Sequence, residues 1–496
     1  MKDILAEIVA HKRIEVERMK REMPAATLRA MVERMMGVPV PSLKAALKAS
    51  TTGIIAEFKR RSPSKGWLNE GAKAAEVPME YQRNGAAAIS ILTDGEFFGG
   101  SDGFVTEARK AGVTLPVLYK NFIVDEYQLL QARLCGASAV LLIASVLDRG
   151  ECKRLIDAAH GLGLEVLLEL HGENELGYAE LCPDVCGVNN RNLGTFVTDV
   201  ANSFRMAERL PKGLCKISES GIHDVNTAAR LRAEGYDGFL IGESFMREEH
   251  PGRALRHFVF GLDAMQTSNG ATPRRVKVCG LAEPENALAV ARLGVDMVGF
   301  ILSKDSPRYA PPQRMKAVCA AIDGMADGKR RPLKVGVFVN ETTEGIVSAA
   351  KEYALDCIQL HGNETAWQLA DLRAALRRES LGSVLLIKAI SVATREDVER
   401  ATEYAAVADL LLFDAKGKAA GGNGTRFCWD VLEAYRGTLP FILSGGIGPE
   451  CAAEIAAFRH PRFAGIDLNS RFETAPGVKN TIALERFITS LRSVSS

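Results

Sequence analysis

Two opposite charges stand inside the apolar run GIIAEFKR (53–60). Glu57 and Lys59 are two positions apart, so on a strand both side chains leave the same face. Such a pair can move protons, or it can be a structural ion pair. The pattern recurs with Lys120 in PVLYKNF (116–122) and Glu169 in EVLLELH (165–171). An unpaired charge in an apolar strand is costly. Four of them on three strands favour one shared site over separate structural pairs. Further on, Cys279 lies near the end of RVKVCGL (275–281) and Asp414 near the end of DLLLFDA (409–415). A lone cysteine in an apolar strand is usually an inert core thiol. If the strands close into one barrel, Asp414 falls on the opposite side of the same rim from Cys279.

The elements that must hold these residues repeat along the chain. Apolar strand candidates recur every 20 to 36 residues, with helix-length patterns between them. Eight fall in the first half: 53–60, 88–94, 116–122, 139–145, 165–171, 185–191, 214–220 and 238–244. Eight more fall in the second: 275–281, 297–303, 333–340, 357–362, 384–390, 409–415, 440–446 and 465–471. Alternating strand and helix implies parallel sheets with right-handed crossovers. Eight units per half predict an α/β chain of two consecutive (β/α)8 TIM barrels, with a doubly wound sheet as the alternative. Polar residues gather at the C-terminal ends of nearly all these strands, which is where barrel active sites lie. QTSNGATPRR (266–275) reads as a linker, giving domains over 1–262 and 274–496 joined by 263–273.

Composition narrows the function. The 496 residues carry 62 basic and 61 acidic side chains, so no general pull toward nucleic acid or membrane surfaces is expected. The N-terminal MKDILAEIVAHKRIEVERMK is charged throughout, unlike a signal peptide. No apolar run approaches the roughly 20 residues of a membrane span. The ten cysteines form no CxxC pair, and most lie in apolar stretches, which fits reduced thiols in the cytoplasm. No metal-ligand cluster, Walker loop or dinucleotide fingerprint is present, so neither metal nor cofactor is expected.

In the first half, AEFKRRSPSKG, LYKNF, LLEL, GVNNRNL, SESGI and LIGESFM resemble indole-3-glycerol phosphate synthases in content and order. The resemblance spans roughly residues 1–260, including a helical extension before the first barrel. It implies cyclisation of a carboxyphenylamino-deoxyribulose phosphate with loss of carbon dioxide and water. Lys120 is then placed to polarise the ketone, and Glu57, Lys59 and Glu169 are the candidates for dehydration. By the same resemblance Ser62, Asn189, Arg191 and Ser220 bind the substrate's carboxylate and hydroxyls; an arginine fork suits a carboxylate. Gly221, Gly242 and Glu243 open the turns after strands seven and eight, where backbone N–H groups cradle phosphates.

In the second half, KVCGL, SPRY, QLHG, LLFDA, GGNG, LSGGI and DLNS resemble phosphoribosylanthranilate isomerases over about residues 274–494. This implies an Amadori rearrangement with Asp414 as acid, Cys279 as base and Arg308 on the anthranilate carboxylate. A thiolate base requires a lowered thiol pKa or an adjacent iminium. His361 either supports the site or touches ligand. Gly422, Gly424, Gly445, Gly446, Asn469 and Ser470 are the expected phosphate binders. Cys428 departs from the pattern, standing where an aspartate often precedes the tryptophan, and the loop after Asp414 is rich in lysine and alanine.

Together the two resemblances imply a bifunctional enzyme of tryptophan biosynthesis acting on small phosphorylated anthranilates. Other enzymes of that pathway are further candidate partners. Two rivals are a chain in which one barrel is only a structural or partner-binding module, and a histidine-pathway isomerase. The latter should carry paired acids on strands one and five in place of Cys279 and AEFK.

Overall fold

The computed structural model describes residues 4–192, 197–266, 275–325, 331–415 and 428–493. The chain divides into two units, Met1–Leu262 and Asp263–Ser496, each holding one closed barrel of eight parallel strands. Among the described residues no helix is long and apolar enough to cross a membrane.

The first barrel is built from β1 (Ile54–Phe58), β2 (Ala88–Leu92), β3 (Val117–Lys120), β4 (Ala139–Ile143), β5 (Glu165–Leu170), β6 (Val185–Asn189), β7 (Lys216–Glu219) and β8 (Gly238–Ile241). It closes by pairing of β1 with β8. The period-2 alternation of strands sorts each one between two cores. Ile54, Ala56 and Phe58 of β1 pack outward against the helices, as do Val117 and Tyr119 of β3 and Val166, Leu168 and Leu170 of β5. Ile55, Leu118, Leu167 and Ile217 point inward and pack with one another. Two residues beyond that inner layer come Glu57, Lys120, Glu169 and Glu219. A strand that buries apolar residues on both faces thus delivers one charge to the C-terminal mouth.

Three helices precede this barrel: α1 (Ile4–Glu22), α2 (Ala25–Glu33) and α3 (Leu43–Ala49). Leu43 and Leu47 of α3 join the inner core from the N-terminal end, beside the start of β8. Ser42 caps α3 and also donates to Glu165 at the foot of β5, 2.5 Å away. From α1, Lys12 reaches Asp94, just past the C-terminal end of β2, at 2.7 Å.

The second barrel comprises β9 (Arg275–Val278), β10 (Met297–Ile301), β11 (Leu333–Phe338), β12 (Cys357–Leu360), β13 (Leu385–Val392), β14 (Leu410–Ala415), β15 (Phe441–Leu443) and β16 (Phe463–Leu468). Val276 and Val278 of β9, Leu411 and Phe413 of β14, and Ile466 and Leu468 of β16 face the helices. Lys277, Asp414 and Asp467 alternate with them and turn inward. β15 is shorter than the expected 440–446, because Gly445 and Gly446 take φ of +87° and +67° and end the strand. β16 begins two residues before the expected 465, where its register with β15 shifts between Phe441 and Ile442. The expected linker 263–273 begins within the helix Pro251–Gln266, and residues 267–273 lie outside the described residues.

Candidate functional sites

At the C-terminal mouth of the first barrel is an open cavity of about 970 Å³. Glu57, Lys59, Lys120, Glu169, Asn189, Arg191, Ser220, Gly221, Gly242 and Glu243 all line it. Ser62 is not among the lining residues; it is buried in a small hairpin of Arg61–Ser62 and Gly66–Trp67. Phe98, Phe122, Leu141 and Ile143 give the cavity an apolar wall.

The charges form two groups. Lys59 Nζ donates to Glu57 Oε1 at 2.5 Å. Lys120 Nζ lies 2.6 Å from Glu219 Oε2 and 3.2 Å from Glu169 Oε2. Glu169 also pairs through Oε1 with His171 Nε2 at 3.2 Å and hydrogen-bonds Asn189. These environments sort the protonation states. Burial opposes charge on Glu169, but Lys120, His171 and Asn189 outweigh it and hold the carboxyl far below its usual range. Glu57 is likewise buried and is pulled down by Lys59 and Lys120. Glu219 goes the other way: burial, with the neighbouring charges of Glu169 and Glu57, pushes it up to about 7 against the pull of Lys120. Burial opposes charge on Lys120 too, but the surrounding carboxylates drive its pKa well up.

Glu219 and His171 went unselected among the candidate residues, although SES and ELH were visible as polar strand ends. Glu219 was findable by the rule that selected Glu169, since it is a buried charge following Ile217 by two. Its room depends on a neighbour: a Cβ on Gly187 would lie 2.0 Å from Glu219 Oε1. Gly242 is required in the same way, because a Cβ there would meet Glu57 Oε1 at 2.6 Å.

The turns after β7 and β8 leave backbone N–H groups around the cavity. Ser220 and Gly221 both adopt left-handed φ, +67° and +76°. Glu243 starts a short helix over Glu243–Met246, and its carboxylate is held by Arg191 at 3.2 Å and Arg247 at 3.0 Å. The guanidinium of Arg191 is therefore anchored beside the cavity, and the backbone N–H of Arg191 donates to Asn189 Oδ1 at 2.9 Å.

In the second barrel, Cys279 follows β9 and is 4% exposed. Its Sγ faces β10 so closely that a Cβ on Gly299 would lie 2.6 Å away. Burial raises the thiol pKa, opposed by Lys277 and Lys479. The net rise runs against the lowering expected for a thiolate base. Asp414 receives His361 Nε2 at 3.2 Å, while His361 Nδ1 lies 2.9 Å from Gln359 Nε2. With Gln359 donating, the imidazole proton sits on Nε2 and points at Asp414. Arg308 is engaged by Glu473, through Nε at 3.0 Å and Nη2 at 2.9 Å. Lys479 completes that cluster, 2.6 Å from Glu473 Oε1 and 2.7 Å from Asn469 Oδ1.

Gly445 and Gly446 follow β15, and Asn469 and Ser470 follow β16. A Cβ on Gly445 would strike the backbone nitrogen of Ala415 at 2.6 Å, so the turn sits directly against the end of β14. Gly422 and Gly424 lie outside the described residues. Sequence reasoning misses Lys277, Asp467, Glu473 and Lys479. Lys277 was accessible to the same reasoning as Lys59, being two residues from Cys279 in an apolar strand.

Comparison with known proteins follows the same division. A family model described as indole-3-glycerol phosphate synthase matches residues 5–258, and one described as N-(5'phosphoribosyl)anthranilate (PRA) isomerase matches residues 276–490. An indole-3-glycerol phosphate synthase of Bacteroides thetaiotaomicron is 52% identical over 260 residues, covering 52% of this chain and 98% of that protein. The tryptophan biosynthesis protein TrpCF of Helicobacter pylori is 31% identical over 493 residues, covering 99% of this chain and all 100% of the relative. TrpCF of Vibrio cholerae is 33% identical over 496 residues, covering 99% of this chain and 97% of its own. With both domains matched in order and relatives aligned end to end, the chain belongs to the TrpCF family, an indole-3-glycerol phosphate synthase followed by a PRA isomerase.

Proposed function

We propose that the two barrels catalyse consecutive steps of tryptophan biosynthesis, each with its own constellation. The second isomerises N-(5-phosphoribosyl)anthranilate to 1-(2-carboxyphenylamino)-1-deoxyribulose 5-phosphate, and the first cyclises that product to indole-3-glycerol phosphate. The observation that carries the synthase reading is Lys120 held between Glu169 and Glu219 in the lining of the cavity.

For ring closure, the ring carbon bearing the carboxylate attacks the ketone carbon, and the ketone oxygen takes a proton. Lys120 is kept as the ammonium by its carboxylate neighbours, the form this acid must have. Carbon dioxide then leaves, its bonding electrons restoring the aromatic ring. Dehydration follows: the new hydroxyl departs as water once protonated, and a proton is lost from the methylene carbon next to nitrogen. We assign this step to Lys59 as acid and Glu57 as base, because they form a second acid–base pair lining the same cavity. Glu169 holds Lys120 in place and balances its charge. Glu219, near its midpoint at neutral pH, exchanges protons with Lys120. Arg191 and Asn189 are assigned to the substrate's carboxylate and hydroxyls, with Ser62 supporting from behind the wall. The N–H groups of Ser220, Gly221, Gly242 and Glu243 are assigned to the phosphate. The apolar wall suits the anthranilate ring.

For the isomerase, Asp414 protonates the furanose ring oxygen, the ring opens to an iminium, and Cys279 removes the C2′ proton. The resulting enolamine becomes the aminoketone. His361 is assigned to hold Asp414 rather than to touch ligand, supported by the 3.2 Å contact. Arg308, held by Glu473, is assigned to the anthranilate carboxylate, and Gly422, Gly424, Gly445, Gly446, Asn469 and Ser470 to the phosphate. A cytoplasmic enzyme is in keeping with ten cysteines that are all free thiols. Assaying each activity separately on the purified protein tests the reading; failure of either would leave that barrel a structural or partner-binding module.

A further inference from the structure

Lys277 is fully buried inside the second barrel, at 0% exposure. It is the cross-strand register partner of Asp467, since β9 and β16 pair with Lys277 opposite Asp467. Its ammonium lies 2.9 Å from Asp467 Oδ2 and beside the Cys279 thiol. Among the described residues neither Lys277 Nζ nor Asp467 Oδ1 has a well-aligned hydrogen-bond partner, although both are buried. A buried ammonium with unspent protons next to a thiol is costly as mere structure. Apolar replacement of such a pair is often neutral or stabilising.

We propose that Lys277 is a positioning residue of the isomerase, whose ammonium, buried between Asp467 and Cys279, holds the Cys279 thiolate that removes the C2′ proton. The inference rests on the reading of Cys279 as the base. The thiol releases its proton to solvent, the thiolate takes the proton from C2′ and becomes a thiol again. Asp414 recovers from solvent the proton it gave to the ring oxygen, so the isomerisation is proton-neutral. The charged groups bearing on this thiol are Lys277, Asp467 and Lys479, with Asp414 and His361 acting on Asp467 in turn. Burial and Asp467 work against the thiolate, and Lys277 and Lys479 work for it. Asp467 thus competes with Cys279 for the same cation, and the two substitutions should act in opposite directions.

The test uses the full chain and follows carbamidomethylation of the Cys279 peptide by iodoacetamide across pH, beside the pH–rate profile of the isomerase. Lys277→Met should raise the midpoint of Cys279 alkylation by about one pH unit or more and lower isomerase kcat at neutral pH by about tenfold or more, with recovery at high pH. Asp467→Asn should lower the midpoint. Lys277→Arg keeps a cation and should stay near the wild-type midpoint, and these two variants carry the test if Lys277→Met does not fold. Synthase activity of each variant reports on the integrity of the rest of the chain. An unchanged midpoint in Lys277→Met, or shifts of the same sign in Lys277→Met and Asp467→Asn, would overturn the proposal. An active Cys279→Ala variant would instead sink the reading of Cys279 as base, whatever the midpoints show.

Discussion

Lys120 and Glu219 meet at 2.6 Å although they come from β3 and β7, on opposite sides of the first barrel. The contact spans the mouth and puts three carboxylates, Glu57, Glu169 and Glu219, around two ammonium groups. Full ionisation would leave excess negative charge in a buried site, and Glu219 is the group that takes up the proton. Its pKa rises from the ordinary 4.5 to about 7. A carboxyl with a raised folded-state pKa binds protons more tightly in the folded chain. Its contribution to stability is therefore full below pH 4.5 and is lost as pH rises through about 7. Glu219→Gln cannot ionise and lacks this loss. The thermal stability of Glu219→Gln relative to wild type should climb in the variant's favour from pH 4.5 to 7 and then level off. A difference that stays flat across this range would mean that Glu219 is ionised throughout.

Lys120→Ala should abolish indole formation and leave isomerase activity intact. Loss of a general acid typically costs about 10²–10⁴-fold in rate. Retention of more than about a tenth of synthase kcat would be too much for that role and would move it to Lys59.

Both barrels, and the inward Glu57, Lys120, Glu169 and Asp414, were legible because strand alternation is a strong local signal. In β5 the outward Val166, Leu168 and Leu170 leave Glu165, Leu167 and Glu169 for the other face, Glu165 at the foot and Glu169 at the mouth. What the alternation does not reveal is whether a buried charge reaches the mouth. Lys388 of β13 and Lys334 of β11 are more deeply buried than Lys120, yet they bind Glu364 and Asp323 and serve no site described above. Glu219 and Asp467 were passed over for the converse reason. Each ends its strand among polar neighbours, SES and DLNS, where a carboxylate looks like an ordinary turn residue. Only closure of the barrel brings Glu219 across to Lys120. The engagement of Arg308 by Glu473 was likewise invisible, because the two are 165 positions apart.

Cys279→Ala should remove isomerase activity without unfolding the protein. A thiol that were only part of the core would leave an active enzyme, less stable by about 1–2 kcal/mol at most. Alkylation should inactivate the isomerase, and substrate should protect it. Equal loss of both activities on alkylation would indicate general damage instead, since Cys182 and Cys428 are exposed thiols whereas Cys279 is buried.

His361→Ala should lower isomerase kcat by about tenfold while leaving KM within about twofold, the signature of a group acting through another residue. Its ring nitrogens face Asp414 and Gln359. A dominant rise in KM would show that His361 binds substrate directly.

The two activities should separate with the two barrels. Each barrel closes on itself, β1 to β8 and β9 to β16, and each packs its own helices around its own core. The synthase candidates all lie between Glu57 and Glu243, and the isomerase candidates all lie between Cys279 and Ser470. Each proposed phosphate turn follows the seventh and eighth strands of the same barrel. Cutting near Asn269 should therefore yield two fragments, 1–269 and 270–496, each with one activity. Poor solubility of a fragment would not decide the matter, so the decisive measurement combines folding and mixing. Each fragment is purified alone, shown to melt cooperatively, and assayed before and after the other is added. Activity within about twofold of the full chain in the isolated fragments supports two self-contained sites, the expectation for domains with complete cores of their own. A fragment that melts cooperatively but is inactive until its counterpart is added would show that a site is completed by the other unit.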